Sequence, residues 1–214
     1  MIGCYFSLDR MKQGTHLQVW FEFASTYSYP AVIRVEQLAS LHGVPLNWEP
    51  FLLGPIFKSQ GWSDSPFNIY PVKGHYMWRD LERICGELAI PFRRPSVFPR
   101  NGLLAARVCA QFKASVWLPA FIKAVYSANF AHDLDISQAS VLAECLQQSG
   151  HEPRAILEQA NSPAAKNALR NQTDRAITLG IFGAPTFVSA AELFWGNDRL
   201  DAAISWSKRG ANTA

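Results

Sequence analysis

The sequence of 214 residues has no Cys-x-x-Cys pair: its four cysteines, Cys4, Cys85, Cys109 and Cys145, are scattered along the chain. That spacing excludes a dithiol redox motif and a cysteine zinc site, and no metal centre is expected. Three of the four fall in apolar, helical-looking stretches, so the cysteines read as buried free thiols of a reducing compartment. Dense charge of one sign is also missing. Twenty basic residues against 17 acidic ones leave a formal charge of +3, and the only basic clusters are Arg93-Arg94 and Lys208-Arg209. A nucleic-acid reader would show a basic stripe, so nucleic acid is excluded as a partner while small anions are not. No segment offers ~18 uninterrupted apolar residues, and the opening "MIGCYFSLDRMKQGTH" has one short apolar patch without a basic leader. The expectation is a soluble, cytoplasmic protein with no membrane partner and no lipoprotein use of Cys4. With 49% hydrophobic and 17% charged residues, disorder and coiled coil are excluded as well.

The pattern that remains is α/β. "HLQVWFEFA" (16–24) places Leu17, Val19, Phe21 and Phe23 in alternation, which predicts a strand. From Ser28 to His42 the apolar positions recur at helical spacing up to Gly43, and "VPLNWEPFLLG" (44–54) reads as a second strand. Residues 55–74 are too rich in Pro, Gly and polar residues for one regular element and read as a long functional loop. A helix is expected from about Gly74 to Ile90, followed by an extended stretch imposed by Pro91, Pro95 and Pro99. Residues 101–180 are helical throughout, with Asp135 or Ser137 as one cap and Ser162 before Pro163 as another. "GAPTFVSAAELFWG" (183–196) predicts a hairpin, and a last helix capped by Asn197 or Asp198 closes the chain. The resulting order, β-α-β, an all-helical insertion, then β-β-α, matches a thioredoxin-like sheet. It divides into an N-terminal extension (1–15), a thioredoxin-like domain (16–90 and 181–208), a helical insertion domain (91–180) and a tail (209–214).

Four places carry chemistry. Ser25 sits where the first strand meets its helix, where free N–H groups and the positive end of the helix dipole favour an anion such as a thiolate. Ser25 or Thr26 could instead simply cap that helix. Pro185 leads into a strand and is a candidate cis peptide, which would turn the Ala184 backbone toward a ligand; a trans bond is the alternative. Asp198 is a helix cap, a carboxylate for a ligand ammonium, or both. In "SPFNIYPVKGHYMWRDLER" (65–83), Asn68, Lys73 and Tyr76 could face a ligand, or Lys73 could be a solvated lysine; "RDLER" reads as an exposed helix face with local ion pairs, and His75 as a surface residue.

Taken in order, these pieces resemble the 2-hydroxychromene-2-carboxylate isomerase family, a relative of the kappa-class glutathione transferases. "FASTYSYPA" is similar to its "DFxSPYSYLA" motif, and "KGHYMWRDLER" and "GIFGAPTFV…ELFWGNDRL" resemble its middle and C-terminal blocks. The resemblance spans roughly residues 17 to 207. It implies a homodimer that uses glutathione and acts on a small aromatic carboxylate. Carried over, Ser25 would face the glutathione sulfur, Lys73 a glutathione carboxylate, Ala184 with Pro185 the cysteinyl backbone, and Asn197 and Asp198 the γ-glutamyl end. The loop around "GWSDSPFNIYP" departs from the family's "GNxPP", so either Asn68 or Trp62 fills that place; Thr26, where the family commonly has Pro, is a second departure. The implied reaction is reversible thiolate addition that isomerises an enone. A transferase releasing stable conjugates and a non-catalytic thiol-binding module are the alternatives. A disulfide oxidoreductase is excluded because residues 25–28 carry no thiol.

Overall fold

The protein is described by a computed structural model covering residues 16–211. Residues 1–15 with Cys4, and residues 212–214, lie outside the described residues. Strand β1, Leu17–Phe21, is central and pairs in parallel with β2, Leu46–Pro50, from Leu17 opposite Leu46 to Phe21 opposite Pro50. On its other side runs the antiparallel β3, Thr186–Ser189, followed by β4, Glu192–Trp195, giving the order β2-β1-β3-β4. Alternation along β1 sends Val19 and Phe21 into the main core and Trp20 to the opposite face, against Phe51, Ile56, Ala176, Ile181 and Val188. Trp20 is fully buried because helices cover both faces of the sheet.

Helix α1, Ser28–Leu41, buries Ala31, Val32, Val35 and Ala39, and Gly43 ends the run at φ +66°, where only glycine sits without strain. The stretch read as a long loop holds two short helices, α2 (Leu53–Ser59) and α3 (Pro66–Ile69). Ser65 caps α3 by accepting from the Phe67 N–H, with Pro66 at its first position. Helix α4, Pro71–Glu87, begins three residues before the expected Gly74, since Pro71 lacks only an N–H that the first turn leaves unused. The Arg79–Glu82 and Asp80–Arg83 pairs on its exposed face are those the sequence suggested.

The helical block comprises α5 (Leu103–Gln111), α6 (Leu118–Phe130), α7 (Ala139–Gln148), α8 (Pro153–Ala160) and α9 (Pro163–Thr178). Ser162 caps α9 as expected, accepting from the Ala165 N–H at 3.2 Å. Neither Asp135 nor Ser137 caps α7. Asp135 closes a turn ahead of it by accepting from Ser137 N–H and the Gln138 amide, and Gln138 precedes the helix without a side-chain cap. Nor do Asn197 or Asp198 cap the last helix. They lie within a 3-10 turn, Asn197–Arg199, that begins after Gly196 and runs into α10, Leu200–Ala211.

Helices α5 to α9 and the sheet share one hydrophobic core, built around Phe21, Phe23, Tyr29, Tyr126 and Phe130 with ring centroids 5.1–6.3 Å apart. Glu49, buried on β2, accepts from Lys113, Gln172 and Arg175, which ties the helical block to the sheet. Cys85, Cys109 and Cys145 are free and buried, and burial raises all three thiol pKa values, to about 11 for Cys85 and Cys145. No helix among the described residues is long and apolar enough to cross a membrane.

Candidate active site

Beyond Phe21 the chain leaves the sheet in a turn that brings Ser25 to the N-terminus of α1. The Ser25 N–H donates to the Glu22 carbonyl at 3.0 Å. Its hydroxyl donates to the Ala184 carbonyl at 2.8 Å and accepts from the Ser28 N–H at 3.3 Å. The two sequence readings of Ser25 therefore coexist: the oxygen takes up a helix-terminal donor, while its proton is directed at the residue before Pro185. Thr26 caps nothing. Its hydroxyl donates to the Met77 sulfur at 3.1 Å, and the Tyr27 phenol donates to Asp80 at 3.0 Å, fastening the turn to α4. Burial and Asp80 both push the Tyr27 phenol pKa up, so it stays a donor.

Ser25 opens on a cavity of about 400 Å³ walled by Phe57 and Trp62 from the α2 segment, Phe67 of α3, and Phe98 and Leu103 from the far side. A mostly apolar wall with a few polar groups is the usual composition of a small-molecule site. Glu22 lies on the same wall. Its carboxyl pKa is raised to about 7 by burial, against the opposing pull of the Ala24 and Ser25 N–H groups.

A buried polar network stands behind this wall. Arg100, 6% exposed, donates to the Asn129 side-chain oxygen at 3.2 Å and carbonyl at 3.3 Å, to Ser96 at 3.2 Å and to the Asp133 carboxylate. The Asn129 amide in turn donates to the Phe23 carbonyl at 3.1 Å, and the Tyr126 phenol donates to the Glu22 carbonyl at 2.7 Å. Helix α6 thus holds two carbonyls of the segment that presents Ser25. The Ser96 N–H, and then Arg100, hold the Asp133 carboxyl down at about 2. A depressed carboxyl stabilises the fold above its unfolded pKa, near 4, and that contribution is lost as pH falls toward 2. The stability difference between the wild-type chain and Asp133→Asn is expected to shrink as denaturant midpoints are followed from pH 5 to pH 2. A constant difference would remove this role for the carboxylate.

The other sequence candidates gather unevenly. The Ala184–Pro185 bond is cis, as is Phe98–Pro99. Ala184 meets Ser25 directly, and the Pro185 carbonyl accepts from the Gly196 N–H at 2.9 Å, which sets Asn197 and Asp198 next to the same strand end. Asn197 is buried, and its side-chain oxygen accepts from Arg34 at 3.3 Å. Asp198 is exposed and pairs with Arg199 at 3.3 Å. Lys73 is exposed on α4 with its ammonium 4.6 Å from the centre of the Tyr70 ring. It stands one helical turn, ~6 Å, before Met77, the residue that touches Thr26. Asn68 is exposed and donates to Asp64 at 3.1 Å; Trp62, its alternative, lines the cavity. His75 is exposed, and Tyr76, 62% exposed, lies under the Arg83 guanidinium.

Sequence reasoning missed Glu22 and the Arg100–Asn129–Asp133 network. Glu22 was legible as a polar residue at the end of an apolar strand, three positions before Ser25. The network joins residues about thirty positions apart with no local signal.

Several known proteins are similar to this chain. A 2-hydroxychromene-2-carboxylate isomerase of Sphingobium xenophagum is 29% identical over 186 residues, covering 86% of this chain and 94% of that protein. The human glutathione S-transferase kappa 1 is 23% identical over 199 residues, covering 86% and 87%. A solved structure of a 2-hydroxychromene-2-carboxylate isomerase superposes with a TM-score of 0.78 at 25% identity, covering 92% of this chain and 98% of that one. Residues 16–204 match the DSBA-like thioredoxin domain, which fits the mixed four-stranded sheet and its helical block. The chain belongs to the DSBA-like thioredoxin domain family, and within it stands alongside glutathione-related isomerases and transferases.

Proposed function

We propose that the protein is a glutathione-dependent isomerase that interconverts 2-hydroxychromene-2-carboxylate and trans-o-hydroxybenzylidenepyruvate, or a related intermediate of aromatic degradation. The observation that carries this reading is the setting of Ser25. Its hydroxyl lies at a helix N-terminus, beside the residue preceding Pro185, and opens on an aromatic-walled cavity. Its proton goes to a main-chain carbonyl and not to a side-chain base, so Ser25 is not an activated nucleophile. Its role is that of a donor: rotation about one bond redirects the proton from Ala184 to an anion in front of α1.

The neighbouring groups fit a thiol tripeptide. Among the described residues the Ala184 N–H has no main-chain partner, which leaves it to pair with a peptide carbonyl. Asp198 offers a carboxylate to the γ-glutamyl ammonium, with Asn197 beside it, and Lys73 a cation to a carboxylate. Asn68 or Trp62 completes the site on the α2–α3 side. Bound glutathione would supply a thiolate that adds reversibly to the conjugated carbonyl, making a double bond rotatable, and would leave unchanged. Phe57, Trp62 and Phe67 would hold the aromatic ring and exclude water. A cytoplasmic homodimer belongs to the same reading.

Similarity to the human kappa-class transferase favours a second reading, in which a stable conjugate is released. One assay separates them: the chromene carboxylate is incubated with and without glutathione while enone absorbance and thiol titre are followed. Glutathione-dependent equilibration at constant titre is expected. A falling titre would make the protein a transferase, and glutathione binding without turnover would make it a binding module.

A further inference from the structure

Glu22 is the group on the cavity wall that the reading above leaves idle. One of its carboxyl oxygens accepts from the Ala24 N–H at 2.9 Å. The Ser25 N–H also bears on this carboxyl, and Glu22 is one of the residues that line the cavity. The remaining charged groups on this wall are Asp64 and Arg100. Asp64 stands at the exposed rim, accepting from the Ser65 N–H and the Asn68 amide. Arg100 is committed to Asp133, Asn129 and Ser96. From α6, Tyr126 reaches the Glu22 main-chain carbonyl, and burial holds its phenol neutral. Among the described residues Glu22 therefore has no counter-ion, and burial raises the pKa of this half-buried carboxyl to about 7.

We propose that Glu22 is the acid–base group of this cavity, moving a proton between the oxygens of the cyclic hemiketal as the chromene ring opens and closes. This rests on the isomerase reading. In opening, the carboxylate takes the hemiketal O–H proton, and the electron pair of that bond becomes the second bond of the ketone. The ring C–O bond breaks with its pair going to the phenolic oxygen, which then takes the proton from the carboxylic acid. Closure runs the same transfers backward, with no net change of proton or electron. The step precedes and does not involve the thiol, so it assigns Ser25 and Glu22 to different bonds of one substrate.

The test uses the full chain and Glu22→Gln. Carbon-13 NMR of protein labelled at glutamate side-chain carboxyl carbons, free of ligand, is expected to show a resonance titrating with a midpoint about 7 that Glu22→Gln lacks. The wild-type turnover of chromene is expected to rise with pH through neutrality and level off. In Glu22→Gln that rise should vanish and kcat fall at least ~10-fold, against the ~10²–10⁴-fold typical of general acid–base catalysis. KM and glutathione affinity by calorimetry should hold. Glu22→Asp, which keeps a carboxyl, should restore a pH-dependent limb if the amide variant folds poorly. An unchanged pH profile in Glu22→Gln, or a wild-type spectrum without the neutral titration, would overturn the role of Glu22 alone. A wild-type chain that never equilibrates the chromene would overturn the isomerase reading and this one together.

Discussion

Replacing Ser25 with alanine is expected to lower turnover of the chromene carboxylate at least ~10-fold while leaving the fold intact; removing a donor aimed at developing charge typically costs ~10²–10³. The change deletes one oxygen. The Ser28 N–H loses an acceptor that stands 3.3 Å away, at the long end of the hydrogen-bond range, and the Ala184 carbonyl loses a single donor. Circular dichroism and denaturant midpoint should therefore move little. The loss should appear in kcat, with a higher apparent pKa for the bound thiol seen by ultraviolet thiolate absorbance. Turnover equal to that of the wild-type chain would remove Ser25 from the reaction. Full turnover accompanied by a lower denaturant midpoint would instead leave Ser25 as a helix-terminal residue.

Asn129→Ala is expected to produce the largest loss of stability. Asn129 is 1% exposed, and its amide satisfies the Phe23 carbonyl while its side-chain oxygen accepts from Arg100. Truncation leaves the Phe23 carbonyl short of this donor and Arg100 with one acceptor fewer, though it keeps the residue-129 carbonyl, at about 1–3 kcal/mol for each lost bond, so roughly 2–6 kcal/mol at most. Equilibrium urea unfolding should report this as a lower midpoint at unchanged slope. Because Phe23 lies two residues before Ser25, turnover should fall as well. A stability change below ~1 kcal/mol would mean that water or a repacked Arg100 takes over the missing bonds.

How much of this was legible in the sequence differs from element to element. Strand β1 was readable because alternation is a local property: Val19 and Phe21 share a face whatever surrounds them. Helix α9 was readable because Ser162 and Pro163 encode its start chemically. The α2–α3 segment was misread as irregular because helices of seven and four residues show too little periodicity, and are held by the cavity wall they complete. The caps at Asp135 and at Asn197–Asp198 failed for a related reason. A side chain that suits a cap also suits a turn, and the surrounding chain decides which it forms.

For the site, the sequence alone determined which chemistry was available: a serine in place of a thiol at a strand-to-helix junction, a proline leading into a strand, and an Asn-Asp pair after Gly196. These are local arrangements of residue types, and local arrangements survive without a fold. Only the tertiary structure decided that the Ser25 hydroxyl meets Ala184, 159 positions away, that Asn197 turns inward to Arg34 while Asp198 stays in solvent, and that burial raises the Glu22 carboxyl pKa to about 7 beside the cavity. The physical reason is that hydrogen-bond partners and the local dielectric depend on what packs from elsewhere in the chain. A carboxyl at the end of a strand is an ordinary ionised group until helices and loops remove water from around it.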